Sequence, residues 1–575
     1  MDKLTSKRWH IAPQAPDAFV SSLSSVHPLI AQILYNRGLA DLDAVESHLD
    51  PEIPPRQPFE LSGVAEAVTL IRRIIDQQRP IVVYGDYDVD GVTAVAVLVE
   101  AIQALGGLVE PYIPSREEEG YGLNKYAIRT LASEGVKLLI TADCGIRSRD
   151  EVALARQLRM HVIITDHHDI GIALPSADVV INPKLPQDPP GLRQLAGVGV
   201  AYKLAQGLLR VNRRTARPMT VRDLDEESLL DLVALGTVAD MVDLLGENRR
   251  LVTKGLEEIN SGRRPGLNAL MQVAVVSPGS VTTKTIGFVI APRLNAAGRL
   301  DEADTALKLL LARDMAEAMP LAEQLEELNE RRREIAREVR EKAREMVVTE
   351  PSLPPLIFAA SRDFPQGVVG LAASRLLDEF YRPAVVVSVE DDYSKGSARS
   401  IPEFHITEAL DRVDGLLERH GGHAAAAGFT VKTSRLGDLK TRLLSFAKEQ
   451  LQDLVLVPSL DVDAEVALTD LTDDLYRRLQ CLQPFGYGNP EPVFVSRRVK
   501  VLNARTVGSD GHHLKLYIGD AYGKPWEAIA FRQGHWIDRL PSWIDLAYTL
   551  EKNEWNGRST LQLNVQDIHL EDGLG

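Results

Sequence analysis

Five short apolar runs between residues 80 and 182, interspersed with helix-like segments, constrain this chain more than any other feature. They are PIVVYG (80–85), LVEPYI (108–113), KLLITA (137–142), HVIIT (161–165) and ADVVIN (177–182). Runs this short, rich in Val and Ile and lacking polar alternation, read as parallel strands buried on both faces. Between them GVTAVAVLVEAIQALG, NKYAIRTLASEG and SRDEVALARQLRM suit the crossover helices that parallel pairing requires. The predicted fold is a doubly wound α/β domain, whose sites form beyond the carboxyl ends of the strands.

At 575 residues the chain exceeds what one core serves. Residues 190–310 read as largely helical, with a glycine-punctuated loop at APRLNAAGRLDEAD (291–304). The stretch 320–348 reads as one long helix with Pro320 in its first turn. Leu325, Leu328, Ile335, Val339 and Met346 fall on one roughly heptad stripe, so the helix is either a rigid connector or the surface helix of one domain. SLPPL (352–356) marks a boundary before a smaller α/β unit, and from about 458 short strands and turns suit an OB-type β-barrel.

Two cysteines, Cys144 and Cys481, exclude a disulfide framework and a thiolate zinc site. The longest apolar run, VTAVAVLV (92–99), is too short to span a bilayer, and no apolar stretch follows the basic N-terminal residues. A cytoplasmic protein with no membrane partner is expected. The net charge of −16 argues at first against nucleic acid. A local basic groove can coexist with an acidic exterior, however, and metal-binding carboxylates add to the negative count.

The chemistry gathers at three strand ends. GDYDVDG places Asp86, Asp88 and Asp90 at alternating positions before a helix, ADCG supplies Asp143, and TDHHD supplies Asp166, His167 and His168. Asp240 follows in the apolar stretch DLVALGTVADMV. Singly, these read as an Asx-capped turn, an isolated carboxylate and a surface histidine pair. Together, on the tips of one parallel array, they read as carboxylates that repel unless cations neutralise them. Oxygen ligands with one or two imidazoles suit Mn²⁺ or Mg²⁺, and a pair of such ions serves in-line displacement at phosphorus.

GDYDVDG, ADCG, TDHH and ALGTVADMV resemble the four motifs of the DHH phosphoesterase superfamily. RLNAAGRL, QGVVG, KGSARS, GGHAAAAGF and PFGYGNPEP narrow the resemblance to the RecJ single-strand-specific exonucleases. The resemblance implies a pair of Mn²⁺ or Mg²⁺ ions on Asp88, Asp90, Asp143, His167 and Asp240, with Asp143 the bridge. Asp86 is implied as a ligand or its partner, His168 as the phosphate contact, and Asp166 as the group that orients a ring nitrogen. The smaller domain resembles the DHHA1 module, in which Ser397, Arg399 and His423 would grip a phosphate, helped by Arg299 across a cleft. The implied division is an N-terminal segment (1–55), a DHH catalytic domain (56–315), a connecting helix (316–350), a DHHA1 domain (351–457) and an OB-type domain (458–575).

The resemblance implies a 5′→3′ exonuclease that degrades single-stranded DNA to mononucleotides in repair and recombination. It would act as a monomer, with a single-strand-binding protein and a helicase as candidate partners. In the barrel, Tyr517, Trp526, Phe531, Trp536, Trp543 and Trp555 lie among Arg505, Lys515 and Arg532, a pattern that fits base stacking or a ring-filled core. Hydrolysis of a small phosphate compound needs neither barrel nor PFGYGNPEP. A non-catalytic DNA-binding scaffold would have lost motif residues, and none is missing.

Overall fold

A computed structural model describes residues 7–50, 53–115, 119–120, 122–215, 219, 221–300, 304–348, 353–508, 510–519, 525–555 and 558–570. The chain packs into two compact bodies. One comprises residues 46–332 together with 482–490; the other comprises 1–45, 333–481 and 491–575.

The first body is built on five parallel strands, β1 (Ile81–Gly85), β2 (Val109–Tyr112), β3 (Leu138–Ala142), β4 (His161–Thr165) and β5 (Val179–Ile181), in the order β2-β1-β3-β4-β5. The expected strands are all present. Alternate residues feed two cores: Ile81, Val83, Leu138 and Ile140 pack on one face, and Val82, Tyr84, Leu139 and Val162 on the other. From β1 the chain passes first to β2 on one side and then to β3 on the other. Their carboxyl ends therefore form the topological switch point where doubly wound sheets bind ligands.

Helix α1 (Val89–Ala104) leaves β1 and is buried on almost every side, which explains its largely apolar composition. Helices α2 (Gly197–Arg214) and α3 (Leu230–Ala239) pack in the same core. The expected loop at 291–304 is instead helix α4 (Ala291–Leu300), with residues 301–303 outside the described set. Leu294, Ala296 and Ala297 are buried, and Gly298 serves close packing, because a Cβ there would stand 2.7 Å from the Tyr87 carbonyl oxygen.

The long helix α5 spans Met315–Val348, so Pro320 lies inside it and not in its first turn. The start is set earlier by Asp314, whose Oδ1 accepts the Glu317 amide at 2.9 Å, while Glu317 accepts the Arg313 amide. Ala318, Ala322, Leu325 and Leu328 join the first body's core; Val339, Ala343 and Val347 join a core of the second. Met346, expected on the stripe, is exposed: the α-helical repeat brings Ala343 and Val347 below Val339. The expected helix end at 350 lies outside the described residues.

In the second body, β6 (Ile357–Ser361), β7 (Ala384–Ser388), β8 (Tyr393–Arg399), β9 (Leu417–His423) and β10 (Ala426–Lys432) form a sheet in the order β9-β10-β8-β7-β6. A barrel follows, made of β11 (Phe494–Val507), β12 (His513–Gly519), β13 (Trp526–Ala530), β14 (Trp543–Trp555) and β15 (Arg558–Leu570). It closes because β11 pairs with both β12 and β14. Leu514, Leu516, Ala528, Leu546, Tyr548 and Leu563 are buried in it. The N-terminal strand Arg8–Ile11 pairs in parallel with Ser459–Val462, and Trp9 Nε1 donates to Asp567 Oδ2 at 2.8 Å. The N-terminal residues 7–45 thus belong to the barrel's body.

Candidate metal centre

Gly85, Ala142 and Thr165, the last residues of β1, β3 and β4, lie in one register row. Asp86, Asp143 and Asp166 each follow a member of that row, so parallel pairing alone brings three carboxylates to one edge. Asp88 caps α1, its Oδ1 accepting the Gly91 amide at 3.0 Å. The capping role read for one such aspartate is therefore real, and it coexists with membership of the cluster. Asp143 sits at φ 61°, a left-handed conformation that costs a non-glycine residue energy and is held only where the surroundings impose it. Asp240 caps the C-terminal end of α3.

The described residues form three groups whose potential ligand atoms all lie within 4.8 Å of one another: Asp86–Asp88–Asp143, Asp90–His167–Asp240 and Asp143–His167–His168. His167 Nε2 is 3.2 Å from Asp143 Oδ1, 3.6 Å from Asp240 Oδ2 and 3.9 Å from Asp90 Oδ2. Asp143 Oδ1 and His167 Nε2 are both buried with no hydrogen-bond partner. Such atoms are expensive in a folded interior, and a cation between them removes that cost. The donor set of carboxylates with one neutral imidazole fits Mn²⁺ or Mg²⁺.

The electrostatics agree with that fit. Burial, followed by the charges of Asp90 and Asp88, raises Asp143 well above the carboxylate range. Burial and Asp88 push Asp90 up to about 7, and burial with Asp90 and Asp88 pushes Asp240 up to about 9. Burial, reinforced by His168, lowers His167 to about 4, which leaves its ring neutral as ligation requires.

Asp166 turns to a different task. Its Oδ2 accepts the Ile146 amide at 2.9 Å; its Oδ1 accepts the His167 and His168 amides at 2.7 and 3.0 Å and lies 2.8 Å from His168 Nδ1. Burial alone would raise Asp166, yet its bonds with His168 hold it below the usual range. Burial would likewise lower His168, and Asp166 reverses this. The adjacent histidines are therefore shifted in opposite directions, His167 toward the neutral ring and His168 toward the imidazolium.

A pocket of about 250 Å³ opens beside Asp86 and Asp88, lined also by Tyr87, Asn295, Gly298 and Arg299. Arg299 thus stands with the acidic cluster in the first body. Ser397, Arg399 and His423 lie in the second. Arg399 Nη1 is 3.0 Å from Ser397 Oγ, and Arg399, Ala426 and His423 share one register row across β8, β10 and β9. The glycines here divide by role. A Cβ on Gly396 would stand 2.1 Å from the Phe429 ring, so this glycine serves packing and not ligand approach. Gly421 and Gly428, which extend the row of Ser397, have almost nothing in front of them and leave the sheet bare.

None of the described rings singled out for base stacking is buried in the barrel core, which holds Phe494 and Tyr548 instead. Tyr517, Trp526, Trp536 and Trp543 are half-buried and Phe531 is exposed; the Trp555 side chain lies outside the described set. Lys515 Nζ is 5.7 Å from the Tyr517 ring centre, and Arg505 pairs with Lys515 across the strands. Arg532 is exposed.

The chain matches the models of the DHH family N-terminal domain over residues 80–237, the DHHA1 domain over 354–453 and the RecJ OB domain over 462–567. It is 36% identical to the single-stranded-DNA-specific exonuclease RecJ of Bacillus subtilis, covering 98% of this chain and 71% of that one. It is 35% identical to that of Escherichia coli, covering 94% and 96%. The chain belongs to the RecJ family. The crystal structure of RecJ with Mn²⁺ from Thermus thermophilus superposes with a TM-score of 0.84 at 31% identity, over 99% of this chain and 80% of that one.

Within this RecJ fold, several groups at the centre escape motif reading. The Gly197 and Val198 amides, at the start of α2, donate to Asp90 Oδ2 and Oδ1 at 2.7 and 2.8 Å. A Cβ on Gly197 would fall 2.5 Å from Asp143 Oδ1. Asn182, buried at the end of β5, donates to the His168 carbonyl at 2.9 Å. The phrases GVGV and INPK signal a turn and a strand end, and nothing in them announces these contacts.

Proposed function

We propose that this chain is a metal-dependent 5′→3′ exonuclease that hydrolyses single-stranded DNA to mononucleotides, acting in repair and recombination. The observation that carries the reading is the pair of buried, unpartnered atoms Asp143 Oδ1 and His167 Nε2 at the switch point of the sheet. Membership of the RecJ family supplies the substrate class.

Asp88, Asp90, Asp143, His167 and Asp240 would hold two ions of Mn²⁺ or Mg²⁺, with Asp143 common to both and Asp86 as a further ligand or its partner. Two acidic groups, Asp86–Asp88–Asp143 and Asp90–His167–Asp240, linked through the third group Asp143–His167–His168, support this assignment. Divalent ions held by these residues would supply a water of lowered pKa and charge stabilisation at the phosphate. His168, whose imidazolium form Asp166 favours, would contact that phosphate and help to neutralise it as the leaving oxygen departs. Asp166 would hold the imidazole in place and favour its protonated form.

Ser397, Arg399 and His423 grip a phosphate, with Arg299 as a further phosphate contact; the bare surface at Gly421 and Gly428 supports close approach of a nucleotide backbone. Tyr517, Trp526, Phe531, Trp536, Trp543 and Trp555, with Arg505, Lys515 and Arg532, hold the strand without reading its sequence. The enzyme works as a monomer in the cytoplasm, on DNA opened by a helicase and covered by a single-strand-binding protein. Among the described residues no helix is long and apolar enough to cross a membrane. Neither Cys144 nor Cys481 is in a disulfide, as a reducing compartment allows.

The test uses 5′- and 3′-labelled oligonucleotides, single-stranded and duplex, with Mn²⁺ or Mg²⁺. Mononucleotides released from the 5′ end of the single strand are expected. Release from the 3′ end, or preference for the duplex, contradicts the reading.

A further inference from the structure

Three exposed apolar side chains stand on segments that meet beside the acidic cluster. Met241 directly follows Asp240, adopts φ 59° and is 65% exposed. Phe288 is 82% exposed on the π-helical turn Ile286–Ile290, which runs on into α4. Tyr487, in PFGYGNPEP, is 61% exposed. Left-handed non-glycine residues and π-turns carry a conformational cost and concentrate at functional sites.

The three segments are fastened to one another. The Leu244 amide donates to the Tyr487 carbonyl at 2.8 Å, and Thr283 Oγ1 donates to the Phe485 carbonyl at 2.5 Å. Arg249 Nη1 donates to the Leu482 carbonyl at 2.9 Å, and Asn489 Nδ2 spans the Leu482 and Pro484 carbonyls. Gly488, at φ 69°, lies so close to Asp243 that a Cβ would stand 2.5 Å from its Oδ1. A loop remote in sequence is therefore fixed firmly to the residues that follow Asp240, while its tyrosine is left to solvent.

The surroundings name that ligand. Asn295 and Arg299, which line the pocket with Asp86 and Asp88, stand on the helix that continues from Phe288, about two and three turns farther on. Flat apolar faces held next to phosphate-binding and metal-binding groups match a nucleotide chain, in which bases alternate with phosphates. We infer that Met241, Phe288 and Tyr487 form a base-stacking platform that holds the nucleobases of the single strand next to the metal centre. The inference rests on the exonuclease reading. It adds that this enzyme grips bases within its catalytic body, separately from its barrel. Apolar side chains carried on a fixed backbone, two of them aromatic, tolerate any base.

The test compares a 5′-phosphorylated, 3′-labelled single strand with the same strand carrying abasic residues near its 5′ end. The full-length wild type, Phe288→Ala and Tyr487→Ala are assayed with Mn²⁺. The wild type is expected to show a KM roughly tenfold lower for the base-bearing strand. Each variant raises that KM and narrows the preference, with Mn²⁺ affinity measured by calorimetry unchanged. Variants that keep the wild-type preference overturn the inference, including the outcome in which they alter only self-association or protein binding. If the wild type cleaves both strands with equal KM, the platform fails while the exonuclease reading stands. If it cleaves neither, the exonuclease reading itself fails.

Discussion

Asp143 Oδ1 lies 3.2 Å from His167 Nε2, and both atoms are buried without a hydrogen-bond partner. One comes from the end of β3 and the other from the end of β4, so the pair exists only because those strands run parallel and in register. Around it stand Asp90 and Asp240, both raised by burial and by their neighbours' charge. A site of this kind is a store of electrostatic cost that cations release.

Stability of the metal-free protein should therefore fall as pH rises. Asp90 and Asp240 are held above their ordinary carboxylate value in the folded state, so the native state binds protons that the unfolded chain gives up near pH 4. The stability gained from this is complete below that pH, and it is lost as pH rises through about 7 for Asp90 and about 9 for Asp240. Urea unfolding in EDTA across pH 5 to 9 checks the slope. Mn²⁺ should flatten it, and Asp240→Asn should remove its upper part.

The two histidines should separate by assay. His167→Ala should weaken Mn²⁺ binding by more than about tenfold, because a direct ligand is lost. His168→Ala should leave Mn²⁺ affinity close to wild type and lower turnover by about a hundredfold. Calorimetry and single-turnover cleavage distinguish the two.

Gly197→Ala should act on metal affinity from outside the motifs. The added Cβ would fall 2.5 Å from Asp143 Oδ1, so either the carboxylate or the start of α2 must shift. Mn²⁺ affinity should drop about ten- to a hundredfold while the circular dichroism spectrum is retained.

In the barrel, Arg505→Ala and Lys515→Ala should raise KM for a long single strand and leave cleavage of a trinucleotide unchanged. Each should also reduce the slope of log affinity against log salt by roughly 0.7, the value for one phosphate contact on a single strand. Fluorescence titrations at several salt concentrations measure it.

Much of this molecule was legible beforehand because its signals are local. The runs at 81–85, 138–142 and 161–165 are apolar and rich in branched aliphatic residues over the length of a strand, and the carboxylates stand directly after them. What escaped depends on contacts remote in sequence or on backbone atoms. Gly298 looked like a loop residue, yet it allows a helix to pass the Tyr87 carbonyl. Met346 fitted a heptad stripe, but alanine at 343 carries too weak an apolar signal to show that the true stripe runs through Val347. The Gly197 and Val198 amides that hold Asp90 leave no mark in a side-chain pattern. Nor does the docking of 482–490 onto residues after Asp240, which joins positions about 240 apart along the chain.

The most direct test of the central claim is the number of Mn²⁺ ions bound per chain, measured by calorimetry on the wild type and on Asp143→Asn. The wild type should bind two ions, with proton release that diminishes as pH approaches 9, and Asp143→Asn should lose tight binding of at least one. A wild type that binds no ion, or an Asp143→Asn variant that binds two as tightly, would contradict a metal centre built on Asp143.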